Sequence, residues 1–195
     1  MQLRQLFDKD SSTYSYLLWD EVTREAVMID PVLEQSERDI RLIAELGLNL
    51  RYALETHIHA DHITGGGLLR ERFGCQVGVH ENAAATCADI ALKEGDQLRF
   101  GESSLTVLHT PGHTKGSIAY IWDGKVAFVG DTIMSGPKGV RTLPSLMMEN
   151  LDQTYASMRK LAAFDFSVMA DGHIGLTLEA SKKLKDFNLS MRSQP

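Results

Sequence analysis

The segment His57-x-His59-x-Asp61-His62 sets four side chains able to bind a metal within six residues, directly after an apolar run, and few folds accommodate such a cluster. In extended chain His57 and His59 point to the same side. Where the chain turns into a helix, Asp61 and His62 diverge and serve a second position nearby. The competing reading is a polar loop whose histidines are solvated or cap the next helix; a single histidine would favour it, but a cluster does not. Three further residues occupy comparable places: His113 in Thr110-Pro111-Gly112-His113, Asp131 in Val129-Gly130-Asp131, and His173 in Asp171-Gly172-His173. Singly, each reads as a turn or capping residue. Because each follows an apolar run and a glycine, the strand ends are expected to converge on one cleft. Imidazole nitrogens and carboxylate oxygens together suit zinc, iron or manganese rather than calcium. His80 and His109 fall outside these motifs and are assigned to structure or surface.

The rest of the chain reads as the scaffold for those ends. Apolar runs predict strands at 13–19 and 26–29 around a polar turn, then at 51–56, 76–80, 97–100 and 104–109. Two more, at 117–122 and 125–129, flank Asp123-Gly124, a strong hairpin signal, and a last strand is expected at 167–170. Helices are expected at 36–46 before Gly47, after Gly65-Gly66-Gly67 as far as Phe73-Gly74, at 81–88, at 151–163 and at 178–189. The stretch from Ser135 to Ser145, rich in Gly and Pro, reads as a loop. Strands in both halves with helices between them predict an α/β fold, an αββα sandwich of two mixed β-sheets flanked by helices. With 195 residues and neither a repeat nor a linker, one domain covering 1–195 is expected.

A net charge of −6 without a Lys/Arg-rich run argues against nucleic acid and anionic membrane as partners and for a small molecule. No apolar run approaches bilayer length, and the residues after Met1 lack the apolar core of a signal peptide, so a cytoplasmic protein is expected. Cys75 and Cys87 form neither a disulfide framework nor a CxxC pair and read as small buried hydrophobes.

Thr56-His57-Ile58-His59-Ala60-Asp61-His62, Thr110-Pro111-Gly112-His113, Gly130-Asp131 and Gly172-His173 resemble, in order, the signature of the metallo-β-lactamase superfamily. In its two-metal members His57, His59 and His113 would hold one ion and Asp61, His62 and His173 the other, with Asp131 bridging. The N-terminal half is similar to the persulfide dioxygenase branch, the enzymes that oxidise glutathione persulfide. Phe7-Asp8-x-x-Ser11-Ser12-Thr13-Tyr14, Ile29-Asp30-Pro31-Val32 and His59-Ala60-Asp61-His62-Ile63-Thr64-Gly65 carry that similarity. It implies one Fe(II) per chain on His57, His113 and Asp131, with the other ligand-type residues around it. It also implies a persulfide and dioxygen as substrates, sulfite and thiol as products, and a homodimer.

The second half departs from the branch. Where its members usually read Cys-Gly-Arg-Thr-Asp, this chain reads Gly136-Pro137-Lys138-Gly139-Val140-Arg141-Thr142, and only Arg141-Thr142 survives. Arg141 is the candidate for binding a substrate carboxylate, with Lys138 a weaker one. The branch tyrosine after the last histidine is absent, since Ile174-Gly175-Leu176 follow His173. A different thiol carrier or a smaller persulfide is therefore open. The alternative enzyme is a hydrolase with two Zn(II), similar to the glyoxalase II thioesterases; a non-catalytic metal-binding sensor or scaffold is the third class.

Overall fold

The computed structural model describes residues 2–136 and 139–192. Lys138 lies outside them. The first sheet runs in the order β1 (Gln2–Asp8), β2 (Thr13–Trp19), β3 (Glu25–Ile29), β4 (Asn49–Leu54), β5 (Gln76–His80) and β6 (Ile90–Leu92). Its first three strands are antiparallel and the later ones parallel. Parallel neighbours need crossovers, and α1 (Ser36–Glu45) and α2 (Gly66–Phe73) supply two of them. The second sheet contains β7 (Gln97–Phe100), β8 (Ser103–His109), β9 (Ile118–Trp122), β10 (Val126–Gly130), β13 (Val168–Asp171) and β14 (Leu176–Leu178), ordered β14-β13-β10-β9-β8-β7. It is antiparallel except where β10 meets β13, and α3 (Leu151–Leu161) lies in that crossover. A small hairpin of β11 (Met134–Gly136) and β12 (Gly139–Arg141) precedes it, and α4 (Ala180–Arg192) follows β14.

The αββα sandwich expected from the sequence is the architecture observed, and the period-two alternation of the strands explains its layers. Tyr16 and Leu18 of β2, with Val27, Leu54, Phe100, Val107, Tyr120 and Phe128, fill the space between the sheets. Their neighbours point the other way: Leu17, Trp19 and Met28 meet Ile43 of α1 and Leu69 of α2, while Ala119, Ile121 and Val129 meet Met158 and Leu161 of α3 and Leu184 of α4. Both faces of the inner strands are thus dry, which requires continuous apolar runs.

Several sequence expectations give way. The strand expected at 51–56 stops at Leu54, because the Thr56 N–H leaves the ladder for Asp30 Oδ1 at 2.7 Å. The helix expected at 81–88 is only a short 3-10 turn, Glu81–Ala83, which ends as Ala84 takes a φ of 53°. Its alanines favour a helix, but Asp89 must return to accept the Val77 N–H at 2.9 Å and start β6. The loop expected at 135–145 contains the β11–β12 hairpin, with Val140 buried against the α3 and α4 layer. The last helix begins two residues late because 176–178 pair with β13. Cys75 is buried as expected, but Cys87 is exposed beyond the short turn. Among the described residues no helix is long and apolar enough to cross a membrane.

Phe128 is 1% exposed at the centre of the inter-sheet core, in ring contact with Tyr16 at 5.2 Å. Phe128→Ala is expected to cost about 3–5 kcal/mol of unfolding free energy. A urea titration followed by circular dichroism checks this, and a loss under 1 kcal/mol would contradict the packing described.

Candidate metal centre

The topology brings the motif residues together. β8 and β10 each run antiparallel to β9, and β13 runs parallel to β10, so all three end on one edge of the second sheet. β3 and β4 end together in the first sheet, and the Ile118 N–H donates to Thr56 O at 2.8 Å, tying the end of β4 to the start of β9. The residues after β4, β8, β10 and β13 therefore surround one cleft.

At its centre is Asp131, 5% exposed. Its Oδ2 lies 3.9 Å from His57 Nε2, 3.7 Å from His113 Nε2 and 3.2 Å from His173 Nε2. The hydrogen bonds behind the rings fix which nitrogens carry lone pairs. The Thr56 hydroxyl donates to Asp30 Oδ2 at 2.8 Å, so at the 3.0 Å contact with His57 it accepts, and the proton belongs on His57 Nδ1. His113 Nδ1 donates to Met147 O at 2.8 Å, and His173 Nδ1 to Ser12 O at 3.0 Å. In neutral His57 and His113 each Nε2 lone pair then faces the carboxylate, an arrangement that suits a cation between the donor atoms.

His57, His113 and Asp131 offer atoms within 4.8 Å of one another. Ligand atoms about 2.1 Å from a shared ion lie roughly 3.0–3.4 Å apart, so small side-chain shifts close the set. Asp131 Oδ1 is buried without a hydrogen bond, a further acceptor left for a cation. Burial pushes the His57 imidazole down to about 3, despite the nearby carboxylates of Asp131 and Asp30, which keeps it neutral and able to coordinate. Burial alone would raise Asp131, but the His173 hydrogen bond and the surrounding imidazoles hold it below the usual carboxylate range. In return, the bond to Asp131 lifts His173 to about 9, so this ring shares a proton with the carboxylate when no metal competes for it. These residues fit a divalent transition metal.

His59, Asp61 and His62 form a second set with atoms within 4.8 Å of one another. The ring centroids of His57 and His59 are 4.0 Å apart, and those of His59 and His62 4.2 Å. Asp61 Oδ2 accepts from the Thr13 hydroxyl at 2.6 Å and lies 3.3 Å from His62 Nδ1. Neither ring nitrogen of His62 makes a hydrogen bond. Arg141 stands apart on β12, exposed, with Nε 3.5 Å from Ser135 O. His80 and His109, assigned above to structure or surface, stack at 4.0 Å and 10°. His80 Nδ1 accepts the Asn82 N–H, and His109 donates to Lys115 O.

Three supporting carboxylates were not singled out in the sequence. Asp30 accepts from His59 Nε2 at 3.1 Å as well as from Thr56, and Glu55 Oε2 lies 3.3 Å from the same nitrogen. Burial would lower His59, but Asp30 and then Glu55 hold it well above its ordinary value. Asp171 Oδ1 accepts the N–H groups of His173, Ile174 and Gly175, shaping the turn that presents His173. The signal for Asp30 and Asp171 was available, since each ends an apolar run as the ligands do. Glu55 carried none beyond its place next to Thr56.

A sandwich of this order with nitrogen and oxygen ligands at one edge defines a class of metal-binding proteins. The chain belongs to the Metallo-beta-lactamase superfamily, whose profile matches residues 8–188. Within it, the chain resembles the persulfide dioxygenase branch. It is 50% identical over 134 residues to the mitochondrial persulfide dioxygenase ETHE1 of Mus musculus and 49% identical over 134 residues to that of Homo sapiens. Each match covers 68% of this chain and 52% of the relative, so the chain spans about half the length of the curated relatives it matches. The crystal structure of ETHE1 from Myxococcus xanthus superposes with a TM-score of 0.82 at 38% identity, covering 100% of this chain and 92% of the other.

Asp131→Ala is expected to abolish metal retention through desalting, read by elemental analysis on protein with native circular dichroism. Thr56→Val removes the hydroxyl that orients His57 and is expected to weaken metal binding about 10- to 100-fold in a chelator competition. Wild-type metal content in the Asp131 variant would defeat the assignment.

Proposed function

We propose that this protein uses dioxygen to oxidise glutathione persulfide or a related low-molecular-weight persulfide to sulfite and the free thiol, at one ferrous ion held by His57, His113 and Asp131. The observation that carries this reading is a compact two-histidine, one-carboxylate triad in a chain half identical, over the matched residues, to persulfide dioxygenases. Bound there, ferrous iron would supply the redox chemistry that dioxygen requires and leave positions open for substrate.

The chain's own groups then have distinct tasks. His173 bonds Asp131 and fixes its orientation, while Thr56 and Met147 hold His57 and His113 by their far nitrogens. Burial alone would raise Asp61, but His62 and Thr13 keep it well below the usual carboxylate range, so it remains an acceptor for the water that hydrolyses the oxidised sulfur. Asp30 and Glu55 hold His59 at the rim of the triad. Arg141, exposed on β12, is assigned through its planar fork to a carboxylate at the far end of the carrier, such as the C-terminal one of glutathione.

A second reading rests on the separate His59, Asp61 and His62 set, which offers a place for a second ion. With two Zn(II), Asp131 would bridge and the reaction would be hydrolysis of a thioester.

The test is elemental analysis of anaerobically purified protein coupled to oxygen uptake with glutathione persulfide. One iron per chain with oxygen consumption is expected; two zinc ions with thioester cleavage would replace this reading with the hydrolase. Arg141→Ala is expected to raise the KM for the persulfide severalfold with kcat near wild type, and an unchanged KM would remove Arg141 from the site.

A further inference from the structure

Beside His59 lies a pocket of about 390 Å³, bordered by Ile58, Ala60, Ala83, Lys115, Gly116 and Glu149. This is within the size range of small-molecule sites. The space exists because its walls are small. A Cβ on Gly116 would come within 2.9 Å of the Ala83 backbone, so the two loops touch with no side chain to spare. Ile58, 49% exposed between two metal-site histidines, offers an apolar surface at the mouth.

Lys115 and Glu149 bring opposite charges to this pocket. The Glu149 N–H donates to His113 O at 3.2 Å, and Glu149 Oε2 accepts the Lys115 N–H at 2.8 Å, which pins the carboxylate to the turn that carries His113. Among the described residues, Glu149 Oε1 and Lys115 Nζ have no hydrogen-bond or ion-pair partner. One cation, one anion, an apolar wall and His59, whose ring lies 4.0 Å from that of His57, line one pocket, and this combination matches a zwitterion with a short arm.

We infer that this pocket seats the α-amino-acid head of the substrate, its carboxylate against Lys115 and its ammonium against Glu149, with the sulfur arm directed past Ile58 to the triad. The substrate class is a persulfide carried on an amino acid with a free head group, as in a cysteine-type or γ-glutamyl carrier. A polyanionic nucleotide carrier does not suit a pocket with one cation. This assignment rests on the centre being one that takes a persulfide.

The test is anaerobic calorimetry of the metal-loaded protein with S-(methylthio)-L-cysteine, a persulfide stand-in that cannot turn over. The control is the same molecule with an N-acetyl group and a methyl ester, which removes both charges. Lys115→Gln and Glu149→Gln are each expected to weaken the zwitterion about fivefold and leave the blocked control unchanged. Equal wild-type affinity for the two probes, or zwitterion binding untouched by Lys115→Gln, would overturn the assignment. Because no oxygen is present, the result is independent of turnover. Absent oxygen uptake alongside charge-dependent binding would sink the dioxygenase reading and leave the pocket standing, and the reverse pattern would do the opposite.

Discussion

The hydrogen bond from Ile118 to Thr56 joins the two sheets through their backbones, as does that from Tyr14 to Gly172, and the cleft depends on the first of these joints. It sets the end of β4 against the start of β9, and β9 fixes β8 and β10 on either side through its antiparallel ladders. Once this register is set, His57, His113 and Asp131 arrive from three separate strand ends at distances a metal can span. The apolar layer between the sheets supplies the free energy, but it is non-directional. The backbone seam supplies the alignment.

Around that seam, polar groups prepare the site before any cation binds. Thr56 donates to Asp30, accepts from His57 and, through its own N–H, ends the β4 ladder. One residue thus stops a strand, fixes a tautomer and anchors a buried carboxylate. Asp171 does comparable work beneath His173, accepting three N–H groups on one oxygen and that of Ser135 on the other. Such groups are costly to bury unless satisfied, so their bonds hold the ligand loops in one conformation.

The apolar alternation made the layer architecture legible in the sequence, and the motif density at 57–62 with the recurrence of glycine then His or Asp after apolar runs made legible which candidate ligands the fold gathers at one cleft. The Asp123-Gly124 hairpin was legible too, since both residues take positive φ, 45° and 66°. Legibility failed where tertiary partners outvote local preference. The alanines at 83–85 favour a helix that the return of Asp89 forbids, and β1, β6 and β14 are short or outer strands whose patterns lack clear alternation. Glu55 was invisible because its bearing on the site runs through a histidine four residues away. The two-group division of the ligands was likewise a question of distances, which spacing along the chain cannot supply.

Crowding around the glycines that precede the ligands has a broader consequence. A methyl group on Gly130 would press into the Thr56 side chain while the backbone there sits at φ 49°, and one on Gly172 would collide with Asp131 Oδ1. Neither glycine contributes a donor atom, yet each defines how closely a ligand loop nests against its neighbour. A side chain at either position would therefore disturb the ligand spacing, although neither glycine has chemistry of its own. New specificities have room to arise in the outer loops, while the spacing of the inner ring stays locked by the absence of a side chain.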